Sequence, residues 1–519
     1  MSGPGSGWRR IDPRSIVVES VPRVALTFLG ALLLSTSVPF DVVFIRDYIY
    51  RGAAVIAVVG VVQQVVRWAT TFYTVDGRTL RLRSGWLLRR RTAVDRRKVR
   101  SIVLRSGPLA RPLGLTRVSL GTGETQRDAS MVLAWVPTAE AHRLRETLLG
   151  HSRPVMEGTG ELARGRARWA LWAPFTALSV SIWAGTYILA YQLFFAWLGW
   201  IRTLRWVLTE QVDVLAALRV LVLAPVAVAI VGAVVVYLEC WWGFRADRAA
   251  RGTLEIRHGL IVHRSVSLQE SRVRGVEFVQ PLLPRLMNRA RVLAVSTGIG
   301  AQTTLARQLP AARHRTLLPL GPVEDAARTA SAVLGHEVDL RDLVGHPVQA
   351  RYKRYRWAIF YTGAVLLGLW VLLREPLLAR PVVFVVVGLL VLAVALLLAN
   401  DSYRSLGHRL EPDLLLLRNG TLRRSTSVIQ RRTVLGWVFR QSWFQYRLGL
   451  VTVAASTAAG KGSYWLHDVG CAEAVSLAST VTPEMIDPHL AAQQPPERAV
   501  GSAVSRAAQE TSNGPVTSS

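Results

Sequence analysis

Cysteine is almost absent from this chain: its 519 residues hold two, Cys240 and Cys471. A disulfide framework is therefore not expected, and a reducing cytoplasm is compatible with the composition. Two cysteines and ten histidines show no metal-ligand spacing, and His336-Glu337 lacks the following histidine of a zinc protease motif. Gly460-Lys461-Gly462-Ser463 is missing the earlier glycine of a phosphate loop, because position 455 is Ala455. Gly462 also stands where that loop needs Ser or Thr, so a hairpin loop is the better reading. No Ser/His/Asp set is recognisable. The expectation is a protein with no catalytic residues, no metal and no cofactor. Lysine is scarce too, with Lys98, Lys353 and Lys461 the only ones among 63 basic residues, so the sign of the charge carries the information.

Hydrophobic residues make up 50% of the chain, while its formal charge is +29. Those values conflict for one soluble domain and agree for a membrane protein with basic parts on one side. Six apolar segments fall at about 24–40, 49–66, 169–201, 212–242, 357–373 and 381–399. A spanning helix needs roughly 20 apolar residues, which the third, fourth and sixth meet clearly and the others marginally. Trp169, Trp172, Trp197, Trp200, Trp241, Trp242 and Trp357 cluster near segment ends, as interfacial belts do. The first segment lacks the small-residue cleavage site of a signal peptide. Arginines precede the first, third and fifth segments, among them Arg14, Arg23, Arg166, Arg168, Arg351 and Arg354. By the positive-inside rule both termini and everything between the helix pairs face the cytoplasm, giving a multi-pass protein of the inner or plasma membrane. Ionisable residues are nearly confined to segment ends, with Glu239 the main exception, which is unlike a proton or ion pathway.

The chain repeats itself three times. After each pair of apolar segments comes a soluble block that opens with strand, turn and strand, the turns being Ser84-Gly85, His258-Gly259 and Asn419-Gly420. Gly114, Asn288 and Gly449 each lie 29 residues past the turn glycine. Glycine and asparagine take a left-handed backbone most readily, so these positions mark a shared second turn. The expected divisions are a cytoplasmic segment 1–23, helix pairs at 24–68, 169–242 and 357–399, domains at 71–150, 244–335 and 402–484, and a disordered tail at 487–519.

In block one, Asp76-Gly77 is a hairpin signal, Leu80 and Leu82 alternate with Arg81 and Arg83, and Trp86 to Leu88 starts the return strand. A helix over 138–149 closes the block. In block two the return strand runs from Leu260 to Val266, 302–315 is an inserted loop, and a helix runs from Pro322 to Gly335. In block three Asn419-Gly420 is the strongest two-residue hairpin signal, and a helix spans about 471–480.

Paired transmembrane helices, a hairpin ending in Gly and a downstream Arg-x-Leu-Gly-Leu turn resemble the bacterial pleckstrin-homology (PH) membrane proteins of the YdbS/YdbT type. Arg111-Pro112-Leu113-Gly114-Leu115 keeps the motif; Arg447-Leu448-Gly449-Leu450 shifts the arginine, and Arg285-Leu286-Met287-Asn288-Arg289 departs from it. Three domains, each behind a helix pair, resemble the YdbT-like arrangement. The resemblance implies a small antiparallel barrel closed by a C-terminal helix in each block. It also implies a smaller companion protein with a single domain of this type, and a role in envelope integrity or resistance to membrane-active agents.

Basic surface is the remaining signal. Arg89, Arg90, Arg91, Arg96, Arg97, Lys98 and Arg100 crowd the return strand of block one, with Arg423, Arg424, Arg431 and Arg432 in the matching place of block three. Anionic lipid attracts such charges by about 1 kcal/mol each near the surface. No nucleic-acid module is recognisable. The expectation is a non-catalytic scaffold that contacts anionic lipid, recruits partner proteins, or does both at the cytoplasmic membrane face. A transporter or exporter component with regulatory PH-like domains is the rival.

Overall fold

The computed structural model describes residues 8–36, 43–76, 79–85, 90–95, 99, 101–121, 130–149, 160–175, 214–249, 252–297, 315–372 and 381–486. The chain divides into two compact units, Met1–Asp339 and Leu340–Ser519.

The first unit opens with an antiparallel pair of helices, Ser15–Thr36 and Val43–Thr70. The Asp12 carboxylate accepts the Arg14 N–H at 2.9 Å where the first begins, and the Thr70 and Thr71 hydroxyls bond back to backbone carbonyls where the second ends. A four-stranded sheet follows, ordered Arg9–Arg10, Phe72–Val75, Thr79–Ser84 and Arg90–Asp95. Leu80 is buried and Arg81 exposed, as a period of two requires. The strands Ser101–Ser106, Leu115–Gly121 and Ser130–Pro137 then form a meander. Ile102, Leu120, Leu133 and Val136 pack there against Ala141 and Leu144 of the helix Thr138–Leu149.

That meander does not close on its own block. Ser101–Ser106 pairs antiparallel with His263–Gln269, the return strand of block two, from Leu268 opposite Ser101 to His263 opposite Ser106. The result is one seven-stranded sheet shared by the two blocks, with Thr253–His258, Arg245–Ala249 and Gly160–Arg164 completing it. The expected separate barrels are therefore not found: among the described residues no sheet closes on itself, and the first two blocks are fused edge to edge. Val273–Pro281, Arg289–Ser296 and Thr316–Pro322 make the second meander of block two, covered by the helix Val323–Leu334. Gly335 ends that helix with φ of 75°, its N–H donating to the Ser331 carbonyl.

In the second unit the helices Val348–Leu372 and Pro381–Arg404 lead into the strands Gly407–Leu410, Leu414–Asn419 and Arg423–Gln430. Leu414 to Leu417 is a continuous buried run. A three-stranded meander, Gly436–Arg440, Leu450–Ser456 and Ser463–Gly470, and the helix Cys471–Val481 complete this unit.

Several boundaries differ from expectation. Asn419 pairs with Ser425, so five residues separate the last paired positions and Asn419-Gly420 opens a longer loop, not a two-residue turn. The return strand of block two starts at His263; Leu260 and Ile261 lie exposed in its loop. One-turn helices at Leu282–Leu286 and Trp443–Arg447 precede the second turns of blocks two and three. The strand Gly160–Arg164 carries no alternating signal and was not expected. Among the described residues three helical stretches are long and apolar enough to cross a membrane, Ser15–Leu32, Phe44–Thr70 and Phe384–Arg404. Val348–Leu372 is not among them; its first turns carry Arg351, Lys353, Arg354 and Arg356. Val214–Trp241 falls in the fourth expected segment, while most of the third, the insert at 302–314 and the tail at 487–519 lie outside the described residues.

Candidate functional site

In blocks one and three the helix pair is joined to the meander that follows it at one repeated position, two residues before the closing strand ends. In block one this is Trp135, whose indole N–H donates to the Glu19 carboxylate at 3.0 Å. Arg23 and Arg67, one from each helix, also donate to Glu19, at 3.2 and 3.3 Å. In block three it is Asp468, which accepts from Lys353 at 2.6 Å, from Arg354 at 2.9 Å and from Gln445 at 2.7 Å. Burial works to raise the Asp468 carboxyl, yet the Lys353 hydrogen bond and the charges of Arg354 and Lys353 outweigh it and hold it below its usual range. In block two the neighbouring Gly321 receives the indole of buried Trp169, whose ring atoms come within 2.9 Å of where a Cβ would stand.

Beside the Asp468 joint lies an open cavity of about 630 Å³. Lys353, Trp357, Arg440, Phe444, Trp465 and His467 are among its walls. The Arg440 guanidinium stacks over Trp465 at 4.7 Å, Arg356 over Phe444 at 4.5 Å and Arg447 over Trp443 at 4.0 Å. Phe444, in the cavity wall, is 42% exposed, and Trp443 and Tyr446 on the same short helix are 59% and 72% exposed, so the helix presents an aromatic surface next to the cavity. Asp468 is taken up by Lys353 and Arg354, which leaves the stacked arginines to give this surface its net positive charge. A capping box between Ser442 and Gln445 fixes the short helix that presents Trp443 and Phe444.

Behind the joint, buried His346 donates through Nδ1 to the His467 carbonyl at 2.8 Å, and its ring lies 5.6 Å from that of His408. Burial first, and the charge of His408 second, push the His346 pKa down to about 4. His408 is lowered as well, chiefly by burial, with Glu473 opposing at 3.5 Å. Among the described residues no group of three or more potential metal ligands comes together.

The residues singled out in the sequence are distributed unevenly. Arg89, Arg96, Arg97, Lys98 and Arg100 lie outside the described residues; Arg90 lies on the strand Arg90–Asp95, and Arg91 beside it is exposed. Arg423 and Arg432 are exposed. Arg424 is half-buried, donating to Ser405 at 3.1 Å with Asp401 at 3.9 Å, and so ties the hairpin to the end of Pro381–Arg404. Arg431 donates to the carbonyls of Thr480 and Val481 at the end of the closing helix. Arg432 also reaches Gln430 Oε1 at 3.4 Å, so three of the four block-three arginines have hydrogen-bond partners, and for Arg424 and Arg431 these tie separate elements together. All six turn positions have positive φ: Gly85 96°, Gly114 67°, Gly259 114°, Asn288 53°, Gly420 105° and Gly449 63°. The cavity was missed, although its signal is visible in the interleaved arginines and aromatics from Trp437 to Arg447.

No curated protein and no solved structure matches the chain. The family described as bacterial PH domain matches twice, and each match takes in apolar helix as well as the sheets after it. Residues 24–151 and 362–485 of this chain are thus similar to the bacterial PH domain, a lipid- or protein-interaction module.

Proposed function

We propose that the chain is a non-catalytic, membrane-anchored scaffold that binds anionic lipid at the cytoplasmic face through its PH-like blocks. The observation that carries this reading is an open cavity walled by Arg440, Phe444 and Trp465, with the Arg447–Trp443 stack on the same short helix as Phe444. Aromatic rings with apolar bodies and polar edges settle at a bilayer interface, and stacked guanidinium groups there meet lipid phosphates. In this reading the chain is multi-pass with both termini cytoplasmic. The YdbT-like three-domain layout adds a smaller single-domain companion as partner and a role in envelope integrity or resistance to membrane-active agents.

The test uses the full chain in mild detergent, titrated with short-chain phosphatidylglycerol and, separately, short-chain phosphatidylcholine. Arg440→Gln with Arg447→Gln should weaken phosphatidylglycerol binding roughly 30-fold, from about 1 kcal/mol for each charge. Phosphatidylcholine binding should hardly change. Equal binding of both lipids, or no effect of the substitutions, would refute the reading.

A further inference from the structure

The fusion of blocks one and two exposes a vacancy at the end of the repeat. In block one the outer strand of the meander, Ser101–Ser106, is covered by the return strand of block two. The equivalent strand in block three is Gly436–Arg440, placed by the same spacing before Gly449 that sets Ser101–Ser106 before Gly114. Among the described residues it pairs only with Leu450–Ser456, so its outer edge is open. The exposure of equivalent residues records the difference: Leu104 is 4% exposed under the block-two strand, whereas Phe439 is 42% exposed. Val438 is 40% exposed and Leu435, just before the strand, 59%. An uncovered edge with apolar side chains is a template for another strand.

The complementary edge is also on this chain. The return strand of block one, Arg90–Asp95, is the equivalent of His263–Gln269, since Ser84 pairs with Arg90 as His258 pairs with Arg264. It pairs only with Thr79–Ser84 among the described residues. Among the described residues, one end of the repeat thus carries a return strand paired with strand on one side only and the other a meander edge paired on one side only.

We infer that Gly436–Arg440 is the docking edge for Arg90–Asp95 of a second copy of this chain, so that copies associate head to tail. Transferring the observed register, in which Val266 faces Val103, sets Thr92 opposite Val438 and Arg91 opposite Phe439. The contact is heterologous, because the two edges differ, and it propagates into a ring or an open row and not a two-fold dimer. It does not rest on lipid binding: backbone pairing leaves the Arg440 side chain to the cavity.

Two differently tagged single-cysteine chains, T92C and V438C, are co-expressed in a background with Cys240→Ala and Cys471→Ala. Oxidation in native membranes should give a linked species carrying both tags. Pairing T92C with F439C should link far less, because a one-residue slip turns the side chain to the other face. The unmodified chain in mild detergent should show dimers and larger species by native mass spectrometry. Equal linking in both registers, or absence of the two-tag species, would overturn the inference, as would an unmodified chain found only as monomer. The R440Q/R447Q chain should still associate, which separates this result from the lipid test.

Discussion

Gly420 and Gly449 both hold positive φ, but they differ in what surrounds them. A Cβ at Gly449 would meet nothing within 4 Å, so Gly449→Ala carries only the left-handed penalty, about 1–2 kcal/mol. A Cβ at Gly420 would stand 2.1 Å from the Arg423 carbonyl oxygen, which the loop cannot accommodate without moving backbone. Gly420→Ala should therefore cost at least about 3 kcal/mol, and thermal melting of the purified chain distinguishes the two. His346 makes a second prediction. Its Nε2 is buried without a partner among the described residues, so protonation would place a charge there beside His408. Because the folded pKa is about 4 against an ordinary 6.5, the neutral form is the native one. Stability is full above about pH 7 and falls as pH drops from 6.5 toward 4, by up to about 3 kcal/mol from this group. In His346→Gln that part of the pH dependence should vanish from denaturant midpoints. Positive φ at Gly114, Asn288 and Gly449 was legible in glycine and asparagine spacing, since it depends on a residue's own backbone. The burial of His346 was not, because it comes from strands and helices distant in sequence.

Helices and strands report the same division between local and distant causes. Val43–Thr70, Val323–Leu334 and Cys471–Val481 follow from apolar period and local stop signals. The pairing of Ser101–Ser106 with His263–Gln269 could not be read from either strand, because register between distant segments leaves no local mark. One charge cluster holds that joint. Arg145, on the closing helix of block one, donates to Glu255 on a block-two strand, and Arg257 donates to the same carboxylate at 2.9 Å. Burial acts to raise the Glu255 pKa, but the Arg257 hydrogen bond and the charges of Arg145 and Arg257 prevail and hold it at about 2. Arg145→Met should leave the fold in place and lower its stability by about 1–3 kcal/mol. Glu255→Gln should cost a similar amount, and combining the two should cost less than their sum if the pair acts as one unit, as a double-mutant cycle would reveal.

At the scale of the molecule, a block is not a self-sufficient piece. A fragment of residues 71–150 would uncover the Ser101–Ser106 edge, with Ile102 and Leu104 beside it, and should aggregate. A fragment carrying residues 71–335 keeps that edge paired but includes the second helix pair, so the comparison is made in mild detergent, where it should stay monodisperse by size-exclusion chromatography while the shorter fragment does not. Reporter fusions active only in the cytoplasm, placed after Gly150, Gly335 or Thr482, should all be active; silence at any one would reject the three-pair topology. The joints at Trp135 and Asp468 bear on how such a repeat persists through descent. Helix and strand trade polarity between them: in block one the carboxylate, Glu19, is on the helix, and in block three the carboxylate, Asp468, is on the strand. Unequal crossing-over that set the first helix pair on the third block would bring Glu19 and Asp468 face to face, with side chains only 8% and 5% exposed. Such a recombinant would bury two like charges and be lost. The inverted polarity therefore gives the first and third helix pairs a physical ground for rejecting each other's closing strand.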